Sequence, residues 1–260
     1  GQRFNSTSMK FINSIQFAKR MDREDPLRSF RNQFCIPTIN GKPALYFSGN
    51  SLGLQPKSTK RYVTEELEDW AKLGVEGHLH ARRPWLYYHK FTKKTLAKLA
   101  GAKPSEVVAM NQLTVNLHLM MVTFYRPTPK RYKILTEAGA FSSDQYAFES
   151  QLKFHRLSEN ALVEIAPRLG ENTLRTEDIV AAIEEHGDTL ALVIFGGVQY
   201  YTGQFFNIKK IVQAGHKVGA QVGFDLAHAI GNVPLSLHEH DVDFAVWCSY
   251  KYLNSGPGAI

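Results

Sequence analysis

The stretch from residue 190 to residue 224 reads LALVIFGGVQYYTGQFFNIKKIVQAGHKVGAQVGF, and it decides the fold class. Its two ends, 190–195 and 221–224, are short strand-like runs, and residues 208–219 between them show apolar residues at helical spacing. A strand, a helix and a second strand in this order predict a right-handed crossover between parallel strands. The stretch is therefore one unit of an α/β fold.

The same alternation continues on both sides of this stretch. Further strand-like runs lie at 107–110, 133–136, 162–165 and 244–248, and helical patterns lie at 115–125, 143–155 and 176–186. Strands that alternate with helices predict an α/β fold with a mostly parallel sheet, covered by helices on both faces. In such sheets, ligands bind beyond the carboxyl ends of the strands.

The residues before 105 follow another pattern. A weak helical pattern covers 9–21, a short extended stretch covers 44–47, and helices are predicted over 57–73 and about 85–100, each closed by a glycine. We therefore predict three parts: an N-terminal arm over 1–40, a helical segment over 41–104 that contains the 77–84 loop, and a large domain over 105–260. The chain starts with Gly1 and stops in an apolar segment after a Gly-rich turn, so we expect a fragment of a longer protein.

Composition excludes several classes of protein. Hydrophobic residues make up 43% of the 260, enough for a large core, and the longest apolar runs are too short to span a bilayer. The net charge of +7 is scattered and accompanies no nucleic-acid motif, so we expect no nucleic-acid or membrane partner. Two cysteines, Cys35 and Cys248, cannot form a disulfide framework, and no leader pattern opens the chain, which favours a cytoplasmic location.

Residues 247–258 read WCSYKYLNSGPG and place Lys251 between an apolar strand and a Gly-rich turn. Most lysines are solvated surface residues, but this one is flanked by Tyr250, Tyr252 and Asn254 rather than by other charges. A lysine amine directed into the crevice at the end of a sheet can form a Schiff base with a carbonyl group.

Asp225 ends the strand-like run that precedes the sequence LAHAIG. A carboxylate at the end of a buried strand needs a cation or a donor, and no basic residue lies within four positions of Asp225. The protonated ring nitrogen of pyridoxal phosphate is one such cation. A simple N-cap at a turn would be the better interpretation if Asp225 stood alone, but Lys251 one strand later removes that preference.

A third segment, residues 111–119, passes from a strand end into a helix. Its first backbone N–H groups lie at the positive end of the helix dipole and can bind a phosphate. Every turn from a strand to a helix offers such groups, so this signal is weak by itself.

Four segments, 48–54, 113–118, 224–228 and 248–254, together resemble the kynureninase family. These are homodimeric, fold-type I pyridoxal 5'-phosphate enzymes of the aminotransferase class V group. The resemblance runs from about residue 40 to the last residue. It implies hydrolysis of L-kynurenine or 3-hydroxy-L-kynurenine to L-alanine and anthranilate or 3-hydroxyanthranilate, in tryptophan catabolism towards NAD. It also implies that the chain stops before a smaller C-terminal domain, so we expect this stretch alone not to turn over substrate.

The resemblance also implies roles for individual residues. Lys251 would hold the cofactor covalently, and Tyr250 would contact its phosphate and donate a proton in catalysis. The residues implied to bind the cofactor are Leu113, Thr114, Phe141, Ser142, Ser143, Asp144, Asp225, His228, Tyr250 and Lys251. Ser51 and His78 are implied to face the amino-acid substrate. The sequence departs from the family at 196–197, where a hydroxyl is expected and two glycines stand, and at Ser142, where proline is expected.

Other functions stay open at this point. A cysteine desulfurase or an aminotransferase belongs to the same group, but a desulfurase needs a mobile cysteine, and neither Cys35 nor Cys248 lies in a suitable segment. A nucleotide-binding module is disfavoured because no Gly-x-Gly-x-x-Gly or Gly-Lys-Ser/Thr turn occurs. A catalytically silent protein of this fold is a further alternative. The histidine pairs at 78/80 and 238/240 lack zinc-site spacing, so no metal is expected, and Tyr200 and Tyr201 are predicted in the core or a dimer surface.

Overall fold

The computed structural model describes residues 10–260. Met9, where the predicted N-terminal helical pattern begins, lies outside the described residues. The arm forms helix α1 (Ile15–Glu24), capped by the Ser14 hydroxyl, which accepts a hydrogen bond from the Phe17 amide at 3.1 Å. A 3₁₀ helix (Arg28–Gln33) and a two-stranded antiparallel hairpin, β1 (Thr38–Ile39) with β2 (Lys42–Pro43), follow it.

The next segment is helical. It contains α2 (Thr59–Leu73), α3 (Gly77–His80), α4 (Tyr88–Phe91) and α5 (Lys93–Ala100), with 3₁₀ turns at Gly74–Glu76, Trp85–Tyr87 and Pro104–Glu106. The single helix predicted over 85–100 is wrong, because Trp85–Tyr87 is a 3₁₀ turn after Pro84 and Thr92 separates α4 from α5. Helix α5 ends as predicted at Gly101, which has the left-handed φ of 61°.

A five-stranded sheet forms the centre of the molecule. Its strands are β3 (Lys133–Glu137), β4 (Leu162–Ile165), β5 (Leu190–Gly196), β6 (Gln221–Asp225) and β7 (Phe244–Val246), in the order β4-β3-β5-β6-β7. All four neighbouring pairs are parallel. The helices of this part are α6 (Leu113–Phe124), α7 (Ser142–Phe154), α8 (Thr176–His186) and α9 (Ile208–Lys217), and a 3₁₀ turn covers Glu159–Ala161.

Side chains alternate between the two faces of this sheet. Val193 and Phe224 belong to the core cluster that contains α8 and α9, whereas Ile194 belongs to the cluster that contains α6 and α7. Helices therefore cover both faces, which explains why the strands are apolar almost throughout. The predicted fold class, a doubly covered parallel sheet, is confirmed.

Two predicted extended stretches do not join a sheet. Residues 107–110, predicted as a strand, have no strand partner among the described residues, so that prediction is wrong; the stretch 44–47 likewise lies outside the sheets. Val108 and Met110 are exposed, and the left-handed Asn111 directly follows them, which turns the chain into α6. An apolar run becomes a strand only where a neighbouring strand offers it a ladder of hydrogen bonds.

The order of the strands creates a crevice. The chain places β4 on one side of β3 and then returns to place β5 on the other side. The β5–β6 ladder continues to the pair Gly196 and Asp225, but the β3–β5 ladder stops at Leu135 and Val193, two residues before β3 ends. Such a switch point at the carboxyl ends of parallel strands is where α/β proteins bind ligands.

Candidate functional site

A cleft of about 570 Å³, open to solvent, lies at this switch point. Most of the residues predicted to bind a cofactor line it, namely Leu113, Thr114, Phe141, Ser143, Asp144, Asp225, His228, Tyr250 and Lys251. These residues come from four separate segments of the chain and meet at one place.

Lys251 reaches the cleft from the turn that follows β7. Its side chain is only 8% exposed, and its Nζ lies 2.8 Å from Nε2 of His228. The same Nζ lies 5.5 Å from the centre of the Phe141 ring and 5.9 Å from that of Tyr250. The amine is therefore held by an imidazole and bordered by aromatic rings, with no carboxylate in salt-bridge contact among the described residues.

Asp225, the last residue of β6, lies at the base of the cleft and is also 8% exposed. Its Oδ1 accepts a hydrogen bond from the Ala227 amide at 2.8 Å, and its side chain is hydrogen-bonded to that of Asp144 in the first turn of α7. Burial raises the pKa of Asp225, and burial together with the charge of Asp225 raises the pKa of Asp144 to about 10. A proton shared by the two carboxyls accounts for this contact.

Glu137, the last residue of β3, is a third buried carboxyl in the cleft. Burial raises its pKa to about 7, although its carboxylate accepts hydrogen bonds from the Gly196 amide at 3.1 and 3.3 Å. None of the sequence motifs included Glu137. The signal was present, because Glu137 ends an apolar strand just as Asp225 does.

His228 and Tyr250 are both held in their neutral forms. Burial, with a smaller effect of the Lys251 charge, lowers the pKa of His228 to about 4, so its Nε2 accepts a hydrogen bond from Lys251 at neutral pH. Burial raises the pKa of Tyr250 to about 12, and the neighbouring Cys248 acts in the same direction. Tyr250 therefore keeps its phenolic proton and can act as a proton donor.

The first turn of α6 supplies an anion site at another wall of the cleft. Leu113 and Thr114 begin this twelve-residue helix, and Gln112 before them makes no side-chain cap hydrogen bond. Gln112 therefore supplies no side-chain acceptor to the first N–H groups of the helix, which lie at the positive end of the helix dipole. They can bind a phosphate.

These groups fit pyridoxal phosphate. The cleft combines an amine, a buried carboxyl pair, an aromatic ring and an uncapped helix start. One oxygen of the pair, Asp144 Oδ1, is buried and lacks a hydrogen-bond partner among the described residues. A buried polar atom without a partner is costly, so a ligand that brings a donor to this place is stabilised.

Three of the predicted residues do not line the cleft. Ser142 is exposed at the start of α7, and Ser51 and His78 are exposed in the N-terminal segment. The loop of Ser51 nevertheless contacts the Lys251 turn, since Gly53 N donates to Tyr250 O at 2.9 Å and Asn254 Nδ2 donates to Leu54 O at 2.9 Å.

The loop that carries His78 is fixed to α2. His78 packs edge-on against Trp85 at 5.4 Å, and Trp85 Nε1 donates to Glu66 at 3.1 Å. The Arg82 amide donates to the buried Asp69 at 2.7 Å, and Arg83 forms an ion pair with Glu66 at 2.6 Å. The position of His78 therefore depends on the acidic face of α2.

Two further features of the cleft involve Tyr200 and Gly197. Tyr200, predicted in the core or a dimer surface, lines the cleft, with its ring 5.2 Å from that of Phe141 and 6.4 Å from that of His228. Gly197, where a hydroxyl was expected nearby, has no room for a side chain, because a Cβ there would lie 2.6 Å from a Leu226 methyl group and 2.8 Å from Ala229. The glycine is required by close packing behind the cleft.

We expect Gly53→Ala to destabilise the protein by about 1 to 3 kcal/mol, since the site is fully packed. A Cβ at Gly53 would lie 2.2 Å from the Lys251 carbonyl oxygen, so the loop would have to separate from the turn that carries the lysine. Gly49→Ala in the same loop is the matched control, because nothing lies within 4 Å of a Cβ there. Thermal unfolding of the two variants measures the difference. Equal unfolding midpoints for Gly53→Ala and Gly49→Ala would show that the contact between Gly53 and the Lys251 turn does not contribute to stability.

Within residues 10–260, no cluster of three or more His, Cys, Asp or Glu side chains is arranged to hold a metal ion. His238, from one of the histidine pairs, instead binds Glu106, with its Nδ1 2.9 Å from the carboxylate. Every helix in that part of the chain is too short or too polar to cross a membrane.

Relatives of known name share much of this sequence. Relatives named kynureninase are 59% identical over 251 residues in Flavobacterium psychrophilum, 58% over 257 residues in Myxococcus xanthus and 52% over 256 residues in Rattus norvegicus. The matches cover 96%, 98% and 94% of this chain, but only 59%, 60% and 55% of the relatives. The chain thus spans less than two thirds of the length of these relatives. The predicted resemblance to kynureninases is confirmed.

Solved structures support the fold alone. A mutant of C-DES with glycine covalently linked to its PLP cofactor superimposes with a TM-score of 0.67 at 16% identity, covering 82% of this chain and 54% of that protein. A cysteine desulfurase from Thermococcus onnurineus NA1 does so with a TM-score of 0.59 at 18% identity, covering 90% of this chain and 53% of that protein. The model of the aminotransferase class-V family matches residues 46–259. The chain belongs to the aminotransferase class-V family.

Proposed function

We propose that this protein uses pyridoxal 5'-phosphate to hydrolyse L-kynurenine or its 3-hydroxy form. The products would be L-alanine and anthranilate or 3-hydroxyanthranilate, a step of tryptophan catabolism towards NAD. The observation that carries the proposal is the cleft in which the Lys251 amine and the Asp225 carboxyl meet, in a chain 52–59% identical to kynureninases. In this cleft the cofactor would supply an electron sink for the charge released at the substrate's α-carbon.

Lys251 is the residue that we propose to attach the cofactor. Its amine is buried beside the neutral His228. The Nε2 of His228 accepts a hydrogen bond from this amine without adding a charge. With the substrate in the cleft, the Nζ of Lys251 would be the base that accepts the proton from the α-carbon. Phe141, whose ring lies 5.5 Å from this Nζ, would orient the ring of the cofactor by stacking.

Asp225 and the helix start would hold the two ends of the cofactor. The Asp225 carboxylate would keep a proton on the ring nitrogen, since a cation next to a buried carboxylate compensates its charge. Leu113 and Thr114 at the start of α6 would hold the phosphate, with Ser143 on the opposite wall and Ser142 next to it. Ser51 and His78 are proposed to face the substrate from the N-terminal segment.

Tyr250 is the proposed proton donor for the cleaved carbon. Its phenol stays protonated at neutral pH, because burial raises its pKa to about 12. One water molecule is consumed: its oxygen adds to the γ-carbonyl carbon and its hydrogens are distributed between the two products, so the atoms balance. Tyr250 would supply or relay a proton while the Cβ–Cγ bond breaks.

The two cysteines make a desulfurase the weaker alternative. Cys248 is buried at 3% exposure, and burial raises its pKa, which is the opposite of what a nucleophilic thiol needs. Cys35 is exposed but belongs to the N-terminal arm, where Cys35 N donates to Gln55 O at 2.8 Å. Neither thiol lines the cleft.

We also propose a homodimer in the cytoplasm. Helix α2 presents Val63, Leu67 and Trp70 to solvent, and exposed apolar side chains of this kind are typical of a surface that meets another subunit. The exposed thiol of Cys35 supports a reducing compartment. We propose the division into 1–40, 41–104 and 105–260 on the ground that all five sheet strands lie between residues 133 and 246.

We expect the whole protein, supplied with pyridoxal 5'-phosphate, to convert L-kynurenine to anthranilate and L-alanine in equal amounts. The fluorescence of anthranilate and an enzymatic assay for alanine measure the two products. L-Cysteine and 3-hydroxy-L-kynurenine are tested in parallel, because sulfide release from cysteine would point to a desulfurase. A protein that binds the cofactor but releases no anthranilate from either kynurenine would contradict the proposal.

A further inference from the structure

Glu137 is a buried titratable group that the proposed reaction does not use. Its side chain is 4% exposed, and it reaches into the place where β3 and β5 stop pairing. The Gly196 amide has no ladder partner on β3 there and donates instead to both carboxylate oxygens of Glu137. The position of the Glu137 carboxylate is thus fixed by the Gly196 backbone amide. The contact is close, because a Cβ at residue 196 would lie 3.1 Å from Oε1 of Glu137.

The surroundings of Glu137 are acidic. Asp225 on β6 and Asp144 on α7 line the same cleft, and Thr136 on its own strand donates to Oε2 at 3.4 Å. No cationic side chain is in salt-bridge or hydrogen-bond contact with Glu137 among residues 10–260, and the nearest cation of the cleft, Lys251, contacts His228. An ionised Glu137 therefore repels negative charge on both aspartates.

The two aspartates are not equivalent partners for a proton. Asp225 is stabilised as a carboxylate by the Ala227 amide and by the hydrogen bond from Asp144, whereas attraction to Lys251 acts on both aspartates. Among residues 10–260, Asp144 has no such amide donor and one of its oxygens has no partner, and it is repelled by both Asp225 and Glu137. The proton of the pair accordingly lies on Asp144, which donates to Asp225.

We propose that Glu137 is a positioning residue whose buried carboxylate, anchored by the Gly196 amide, keeps the proton on Asp144 and thereby keeps Asp225 ionised. The proposal rests on the proposed function only in that Asp225 is the partner of the cofactor's ring nitrogen. The direction agrees with the pKa of Glu137, about 7, which lies below that of Asp144, about 10, so Glu137 ionises first as the pH rises.

Glu137→Gln tests the charge without removing the anchor, because an amide oxygen can still accept from Gly196. Infrared difference spectra of the cofactor-free whole protein measure the loss of protonated carboxyl groups as the pH is raised. The signal of Asp144 is assigned as the one that the spectra of Asp144→Asn lack. In Glu137→Gln we expect Asp144 to lose its proton at a pH about one unit lower than in the wild type. Glu137→Asp keeps the charge and should retain most of the wild-type titration.

The control is Glu177→Gln, the same chemical change on the exposed surface of α8, which should leave the Asp144 titration unchanged. An Asp144 titration at the same pH in Glu137→Gln and the wild type would overturn the proposal. If Glu137→Gln does not fold, the wild type decides: loss of the Asp144 proton before Glu137 ionises would overturn it equally. No kynurenine is used, so this result is independent of whether the protein cleaves that substrate.

Discussion

Replacing Lys251 with alanine should abolish both the visible absorption band of the bound cofactor and the release of anthranilate. The band requires a covalent bond to an amine, and Lys251 is the one lysine among residues 10–260 that lines the cleft. Proton transfer by a positioned side chain contributes up to about 10⁴-fold to a rate, so we expect turnover to fall by on the order of 10⁴-fold. Absorption spectra and a fluorescence assay of the same samples measure the two losses.

Two further variants make this result specific. Lys251→Arg keeps the positive charge beside His228 but should lose turnover equally, since a guanidinium does not deprotonate in proteins. Lys209→Ala removes an exposed lysine of α9 and should retain the band and the rate. A visible band that persists in Lys251→Ala would show that another group attaches the cofactor.

Much of the fold could be predicted from the sequence because buried parallel strands are apolar almost throughout. The runs 162–165 and 176–186 match β4 and α8 at both ends, and the 190–195 run misses β5 by one residue. The pattern fails at 107–110, whose apolar residues resemble a strand but find no partner. Periodicity registers burial, whereas a strand also needs a neighbour, which only the tertiary fold supplies.

The site shows a similar division between local and non-local information. Asp225 could be identified because it ends an apolar strand, and Lys251 because it lies in the turn after the next strand; parallel strands end at one edge of the sheet. Glu137 carries the same signal on β3 but was missed, because it belongs to none of the four matching segments. Tyr200 could not be assigned, since only the packing of its ring against Phe141 brings it to the cleft.

Asp225→Asn should lower activity while leaving the folded protein at least as stable as the wild type at alkaline pH. The amide keeps the size of the side chain and can accept from the Ala227 amide, but it carries no charge to hold a proton on the ring nitrogen. Loss of one aligned electrostatic contact at a reacting group costs on the order of 10² to 10³-fold in rate. The turnover number and the dissociation constant for pyridoxal 5'-phosphate measure this loss.

The effect on stability has the opposite sign, because the folded-state pKa values of Asp225 and Asp144 lie above their unfolded values. The folded protein therefore holds protons that the unfolded chain releases. This contribution to stability is complete below the ordinary Asp value of 3.8 and is lost as the pH rises towards about 10, the value for Asp144. His228 acts in the other direction, since its stabilising contribution is lost as the pH falls from 6.5 to about 4.

The two contributions separate above about pH 7, where His228 is neutral in both states. Between about pH 7 and about pH 9, the midpoint of thermal unfolding of the cofactor-free wild type should fall with rising pH, and that of Asp225→Asn should fall less steeply. A steeper pH dependence in Asp225→Asn than in the wild type would mean that the Asp225 carboxylate stabilises the empty fold. In that case the Asp225 charge would stabilise the fold itself. A charge that lowers the stability of the empty protein is the kind that is retained for binding a cation, and Asp225 would not be such a group.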